Sequence, residues 1–254
     1  MANLDFRAES AENYEQKCLC VLVLDVSGSM NEIIDNTGSR PTGRTIEVDG
    51  QKYNIVEGGV SKLDGLNNGL FSFFEEIIDD ETTSQRLELA IVTFNDNVNI
   101  LQSPTLPENV AIQPLVADGG TALVDAVREA INIVNARKQW YKSTNQPYYR
   151  PWIILITDGE PNPGQDINAL SIQIKSDTNP QQKHYEFLPI GVDNANMNVL
   201  AQIQGNIPPM KLKGTKFSSF FKWLSASMGT VVSSSEGQTV SLPGTSDWTD
   251  AFVI

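Results

Sequence analysis

The chain has 254 residues, enough for one large domain or two small ones with a sizeable core. Its 31 acidic residues outnumber 18 basic ones for a formal net charge of -13, and Lys211, Lys213 and Lys216 are too few to make a countervailing basic patch. Such a surface repels nucleic acid and anionic membranes, and no stretch is apolar for long enough to span a bilayer.

Residues 1–17 read as a polar arm without the apolar core of a secretory signal, so a cytoplasmic location is expected. Residues 18–25 form the first strand, an unbroken apolar run of the kind buried on both faces of a sheet. Its two cysteines, Cys18 and Cys20, share one face. An extended i, i+2 pair is hard to bridge in disulfide geometry, and two thiols alone do not make a zinc site. Both read as buried free thiols, in keeping with a reducing compartment.

The run ends in Asp25-Val26-Ser27-Gly28-Ser29. From Asn31 to Gly59 the chain departs from a simple layout: Thr45 to Val48 and Gln51 to Val56 flank Asp49-Gly50, a hairpin signal. An inserted two-stranded ribbon at about 44–56 is expected, either a decorated surface loop or a docking arm. Val60 to Ile78 has helix spacing. Leu87 to Phe94 is the second strand, Asn95-Asp96 a turn, and Val98 to Leu101 a short third strand. A proline-containing loop follows from Ser103 to Pro114. Asp118-Gly119-Gly120-Thr121 opens another helix, with Leu123, Val127, Ala130, Ile131 and Val134 on its apolar face.

Trp152 to Ile156 is a second continuous apolar strand, ending in Thr157-Asp158-Gly159-Glu160-Pro161. Ala169 to Ile174 supplies a helix face, Phe187 to Val192 a strand, and Met197 to Ile203 a short helix. Lys211 to Lys213 reads as an edge strand guarded by lysines. Phe217, Phe220, Phe221, Leu224 and Met228 mark the last helix. Ser233 to Gly244 is Ser/Gly-rich like a linker, and the apolar terminus Trp248 to Ile254 either packs back or docks on a partner, the former favoured. The expected organisation is an arm (1–17), one domain (18–230) and a linker with an apolar tail (231–254). Alternating strands and helices predict an α/β domain, a doubly wound, mostly parallel sheet flanked by helices.

Two acids, Asp25 and Asp158, each stand at the carboxyl end of a buried strand. Neighbouring strands lie about 4.8 Å apart, so adjacent strands would crowd the two carboxylates. They must then take up a proton, bind a cation or point apart. Ser27, Ser29 and Thr121 would place hydroxyls in the same crevice, where ligands of such sheets bind. Oxygen donors of this kind suit a hard ion such as Mg2+ that keeps several waters. Taken singly, Thr121 also reads as a helix cap, and Thr157-Asp158-Gly159 as a plain turn.

Asp25-Val26-Ser27-Gly28-Ser29, Gly120-Thr121 and Thr157-Asp158-Gly159 together resemble the metal-ion-dependent adhesion site of von Willebrand factor type A domains. The resemblance runs through about residues 18–230 and implies a doubly wound sheet with one short antiparallel strand. It implies that Ser27, Ser29 and Thr121 bind the metal directly or nearly so, and that Asp25 and Asp158 act directly or through water. Phe217 to Ser227 and Tyr149-Arg150-Pro151-Trp152 are similar to the tellurium-resistance TerY-type proteins. That likeness implies a bacterial intracellular protein associated with a protein kinase and a phosphatase in stress or defence.

The expected function is a binding module and not an enzyme. A divalent cation (Mg2+, or Mn2+ or Ca2+) held largely by neutral hydroxyls accepts an Asp or Glu side chain from a neutral or basic protein partner. Neither nucleic acid nor membrane is expected as a partner. The alternative is a Mg2+-dependent phosphohydrolase of the haloacid dehalogenase type, but that class wants a second acid where this chain has Ser27. The chain has no Gly-rich phosphate loop ending in Gly-Lys-Ser/Thr. Its one histidine, His184, lies at a strand start, unpromising for a nucleophilic triad. A dinucleotide-binding reading fails on spacing, since Asp118-Gly119-Gly120-Thr121 lacks Gly-x-Gly-x-x-Gly.

Overall fold

A computed structural model describes residues 14–48, 51–235 and 238–250. In chain order its elements begin with β1 (Cys18–Asp25), a single 3₁₀ turn at Gly28–Asn31, β2 (Ile33–Asp35), β3 (Arg40–Val48), β4 (Gln51–Glu57) and β5 (Val60–Ser61). Then come α1 (Lys62–Asp79), α2 (Glu81–Arg86), β6 (Leu87–Phe94), β7 (Val98–Thr105) and α3 (Leu123–Ser143). The chain continues with β8 (Trp152–Thr157), α4 (Ile167–Thr178), β9 (Glu186–Val192), α5 (Met197–Gln202), β10 (Met210–Leu212), α6 (Phe217–Val232) and β11 (Thr249–Asp250).

Seven strands form one sheet in the order β11-β10-β9-β8-β1-β6-β7. β10, β9, β8, β1 and β6 run parallel, and the outermost strands β7 and β11 are antiparallel to their neighbours. The chain leaves β1 toward β6 and β7, then crosses through α3 to β8 on β1's other side. The order therefore reverses between β1 and β8, which opens a crevice beyond their carboxyl ends.

β1 is buried along its whole length because helices cover both faces of the sheet. Its residues alternate between two cores as a strand's two-residue period requires. Cys18, Cys20, Leu22 and Leu24 pack with residues of α1 and α6, while Leu19, Val21 and Val23 pack with residues of α3 and α4. Both cysteines are buried and free, as expected. On the first face α1 and α6 meet closely because α1 carries glycines at the contact. A Cβ on Gly65 would lie 2.6 Å from the Phe217 ring, and one on Gly69 would lie 2.5 Å from the Phe221 ring.

Several elements differ from the sequence reading. The ribbon is longer than 44–56, with β3 and β4 paired from Arg40↔Glu57 to Val48↔Gln51; its turn, Asp49-Gly50, falls outside the described residues. Val60 and Ser61 are strand and not helix, because they pair with β2 and close the base of the insertion. Ser61 then caps α1 in a capping box, its hydroxyl accepting from the Asp64 N–H at 3.0 Å while Asp64 accepts from the Ser61 N–H at 2.9 Å. The short helix α2 was not anticipated. β7 runs on to Thr105 into the expected loop, because pairing with β6 persists past irregular registers.

β10 is not an edge: β11 covers it, with Lys211↔Asp250 and Leu212↔Thr249 in register. The described residues after α6 lead back to that position. The Trp223 indole N–H donates to Pro243 O at 2.8 Å, and Tyr149 OH donates to Ser234 O at 2.8 Å. Trp248 is buried against Phe220 and Trp223, with ring centroids 5.0 and 5.1 Å away. Residues 251–254 of the apolar terminus, and 1–13 of the polar arm, lie outside the described residues. The arm's end is anchored, since Lys17 donates through Nζ to Gln85 O at 2.7 Å. Among the described residues no helix is long and apolar enough to cross a membrane.

Candidate metal centre

The five residues singled out by sequence converge at the β1/β8 crevice. Asp25 is the last residue of β1 and fully buried; Asp158 follows β8 and is nearly so. Leu24 and Ile156 are register partners, so Thr157 stands level with Asp25 and Asp158 follows one residue farther along the adjacent strand. After Asp25 the chain turns sharply. The Ser27 N–H donates to Asp25 Oδ1 at 2.8 Å, and Thr157 Oγ1 donates to Asp25 Oδ2. The Ser27 and Ser29 hydroxyls share a hydrogen bond of 3.1 Å, and Ser29 donates to Asp158 Oδ1 at 2.8 Å. Ser27 is buried and Ser29 half-buried, so the cluster opens outward on the Ser29 side.

Thr121 completes the group. A Cβ on Gly159 would stand 3.1 Å from Thr121 Oγ1 and 3.6 Å from Asp25 Oδ2, so glycine is what lets these side chains close up. Thr121 does not cap α3: the cap position is Ala122, and the side chain that bonds the first turn is Gln165, whose Oε1 accepts from the Val124 N–H at 2.6 Å. Its backbone is pinned instead, its N–H donating to Asn162 Oδ1 at 2.9 Å and its carbonyl accepting from the Asn162 N–H at 2.9 Å. The glycines before it are also required. Gly119 has φ +68°, and a Cβ on Gly120 would fall 2.5 Å from Asp96 Oδ1 and 2.7 Å from Asn162 Oδ1. A backbone bond from Gly28 N to Gly119 O, 3.0 Å, ties this loop to the Ser27–Ser29 turn.

The electrostatics follow from burial. Desolvation pushes the Asp25 carboxyl up to about 6; hydrogen bonds from Ser27 and Thr157 oppose that shift, and the Asp158 charge adds to it. No cation touches Asp25 among the described contacts. Asp158 differs, because its Oδ2 accepts from Lys62 Nζ at 2.8 Å.

Lys62, with Glu32 and Asp193 around it, is what sequence reasoning missed. One signal was available: a lysine at the first position of a helix, where the dipole disfavours a cation. Asn162 was also missed, because its role depends on a loop contact 41 residues away in the chain.

The donors fit a small hard cation. All are oxygens, three of them neutral hydroxyls, on a buried carboxylate pair that lacks full charge compensation. Among the described residues no three His, Cys, Asp or Glu side chains are grouped as metal ligands, so any ion here depends on the hydroxyls. Cys18 and His184 lie toward the opposite end of the sheet.

The model of the von Willebrand factor type A domain family matches residues 20–220. A search of curated proteins finds no matching sequence. Among solved structures, the vWF domain of the type V pili tip protein Mfa5 from Porphyromonas gingivalis superposes with a TM-score of 0.55 at 12% identity, covering 88% of this chain and 99% of that one. The PilB minor pilin from Streptococcus sanguinis gives 0.51 at 14% identity, over 86% of this chain and 63% of that one. Proximal thread matrix protein 1 from the mussel byssus gives 0.51 at 15% identity, over 84% and 46%. The chain thus spans about half to under two thirds of the pilin and byssus chains, and these likenesses concern the fold.

Proposed function

The chain belongs to the von Willebrand factor type A family, and from that premise we propose that it is a metal-dependent protein-interaction module whose ion is held by Asp25, Ser27, Ser29, Thr121 and Asp158. One observation carries the reading: two buried acids and three hydroxyls from three separate segments meet at the sheet's switch point. Members of this family are typically interaction modules and not enzymes. When bound, a divalent ion supplies a positive centre that attracts a partner's Asp or Glu carboxylate.

The protein's own part is orientation and charge control. The Ser27 N–H and Thr157 hydroxyl fix the Asp25 carboxylate, and Asn162 fixes Thr121. Three of the five donors are neutral, so the two carboxylates do no more than balance a divalent ion, and with Lys62 beside Asp158 the site does not turn negative toward a partner's carboxylate. An all-oxygen set with no thiol or imidazole favours Mg2+ over softer ions.

The chain's likeness to TerY-type proteins extends the proposal to a bacterial cytoplasmic stress or defence system, with a protein kinase or phosphatase as partner. Its organisation would be the arm (1–17), the domain (18–230) and the tail (231–254). Asp25→Ala should abolish Mg2+ binding in titration calorimetry and Mg2+-dependent capture of a partner, while the circular dichroism spectrum stays native. Capture that survives in EDTA would refute the proposal.

A further inference from the structure

Lys62 opens α1 and is 2% exposed. Its ammonium lies 2.8 Å from Asp158 Oδ2, 2.7 Å from Glu32 Oε2 and 3.3 Å from Asp193 Oδ2. Three carboxylates thus face a group with three N–H donors. Attraction and hydrogen bonding from the three carboxylates offset the cost of burying the ammonium. The side chain is therefore a fixed positive charge at the rim. It is placed on the opposite oxygen of the same carboxylate that accepts from Ser29 through Oδ1.

Its place in the chain matters as much as its charge. Glu32 follows the 3₁₀ turn that carries Ser29, and Lys62 follows β5, so the two residues are the roots of the inserted segment. The Lys62 N–H also donates to Glu32 O at 3.0 Å. One side chain joins both roots of the insertion to Asp158.

We propose that Lys62 is a positioning residue, a tethered cation that holds the rim acids together without metal and keeps the divalent ion weakly bound. This rests on the metal-dependent reading above. A positive charge sharing Asp158 with an ion repels that ion and takes up part of the carboxylate's charge. Glu32 and Asp193 compete with Asp158 for the ammonium, so they moderate its effect. Weak intrinsic attachment leaves room for a partner carboxylate to complete the ion's binding, which makes metal and partner binding mutually reinforcing.

The test is Mg2+ titration calorimetry on the full chain, with melting followed in EDTA and in excess Mg2+. Lys62→Met should bind Mg2+ on the order of tenfold more tightly, melt earlier than wild type in EDTA and regain that loss in Mg2+. Glu32→Gln concentrates the ammonium on Asp158 and should weaken Mg2+ binding about threefold. Glu160→Gln, an exposed rim acid bonded to Asn196, should weaken it less. A merely structural lysine would make Lys62→Met bind more weakly, and that result or an unchanged affinity overturns the proposal. Should Lys62→Met fail to fold, the Glu32→Gln and Glu160→Gln pair decides: equal effects overturn it. A wild-type chain that binds no Mg2+ at millimolar concentration overturns the metal reading itself, whereas wild-type binding without the opposed shifts overturns the Lys62 inference alone.

Discussion

The two ends of the central sheet bury charge in opposite ways. At the amino end, Glu88 on β6 is enclosed by Arg137 and Tyr141 from the last turns of α3. Arg137 donates to both Glu88 oxygens, at 2.8 Å through Nε and 2.7 Å through Nη2, and Tyr141 OH donates to Oε2. The Arg137 guanidinium also stacks 4.0 Å from the Trp140 ring centroid. One anion meets one rigid cation in a bidentate pair, and the account closes. At the carboxyl end, Asp25 has only hydrogen-bond donors, and Asp158 shares a single ammonium with two other acids. The first arrangement needs nothing from outside, while the second carries a surplus of buried negative charge. That surplus separates a structural ion pair from a site built to receive a cation.

Breaking the closed end should cost most. Arg137→Met strands a buried carboxylate, and unfolding in urea should show a loss of about 3–5 kcal/mol. Mg2+ affinity at the far rim should stay within twofold of wild type. A loss under about 1 kcal/mol would mean that the Arg137–Glu88 pair is not a structural ion pair.

At the open end the sign reverses, because neutralising an acid should stabilise the metal-free protein. The Asp25 carboxyl titrates near 6 in the fold against 3.8 as its ordinary value. Below 3.8 both folded and unfolded chains hold the proton. Between 3.8 and 6 the unfolded chain gives it up while the fold retains it, so the fold loses stability as pH rises, and above 6 the loss is complete. Asp25→Asn escapes that penalty. In EDTA at pH 7.5 it should exceed wild type by on the order of 2–3 kcal/mol, a gap that narrows as pH falls through 6 and vanishes near pH 4. Denaturant melts across that range check it, and an Asn variant less stable at pH 7.5 would contradict the surplus-charge picture.

The smallest effect sharpens the comparison at the root of α1. Ser61→Ala removes the cap that fixes the turn just before Lys62 and should cost about 1 kcal/mol. Melting curves would show it.

Much of this was legible in the residues. The strands at 18–25 and 152–156 need no tertiary information, since continuous apolar runs ending in polar turns have one economical reading. The five candidate ligands were legible because each punctuates the end or start of such an element. Where reading failed, the deciding partner was distant in the chain. β10 looked like an edge because its neighbour β11 is a two-residue strand with no periodicity of its own. Val60 and Ser61 continued a helical pattern until pairing with β2 claimed them.

The sequence by itself determined the alternation of strand and helix, the two-faced burial of the sheet and the identity of the oxygens at its rim. These follow from local periodicity and from where polar residues interrupt it. Only the tertiary structure decided which charges meet. Lys62 joins Asp158 across 96 positions, Arg137 joins Glu88 across 49, and Asn162 holds Thr121 across 41. Coulomb and hydrogen-bond energies depend on separation in space, and no pattern along the chain encodes that separation until the sheet has set its order.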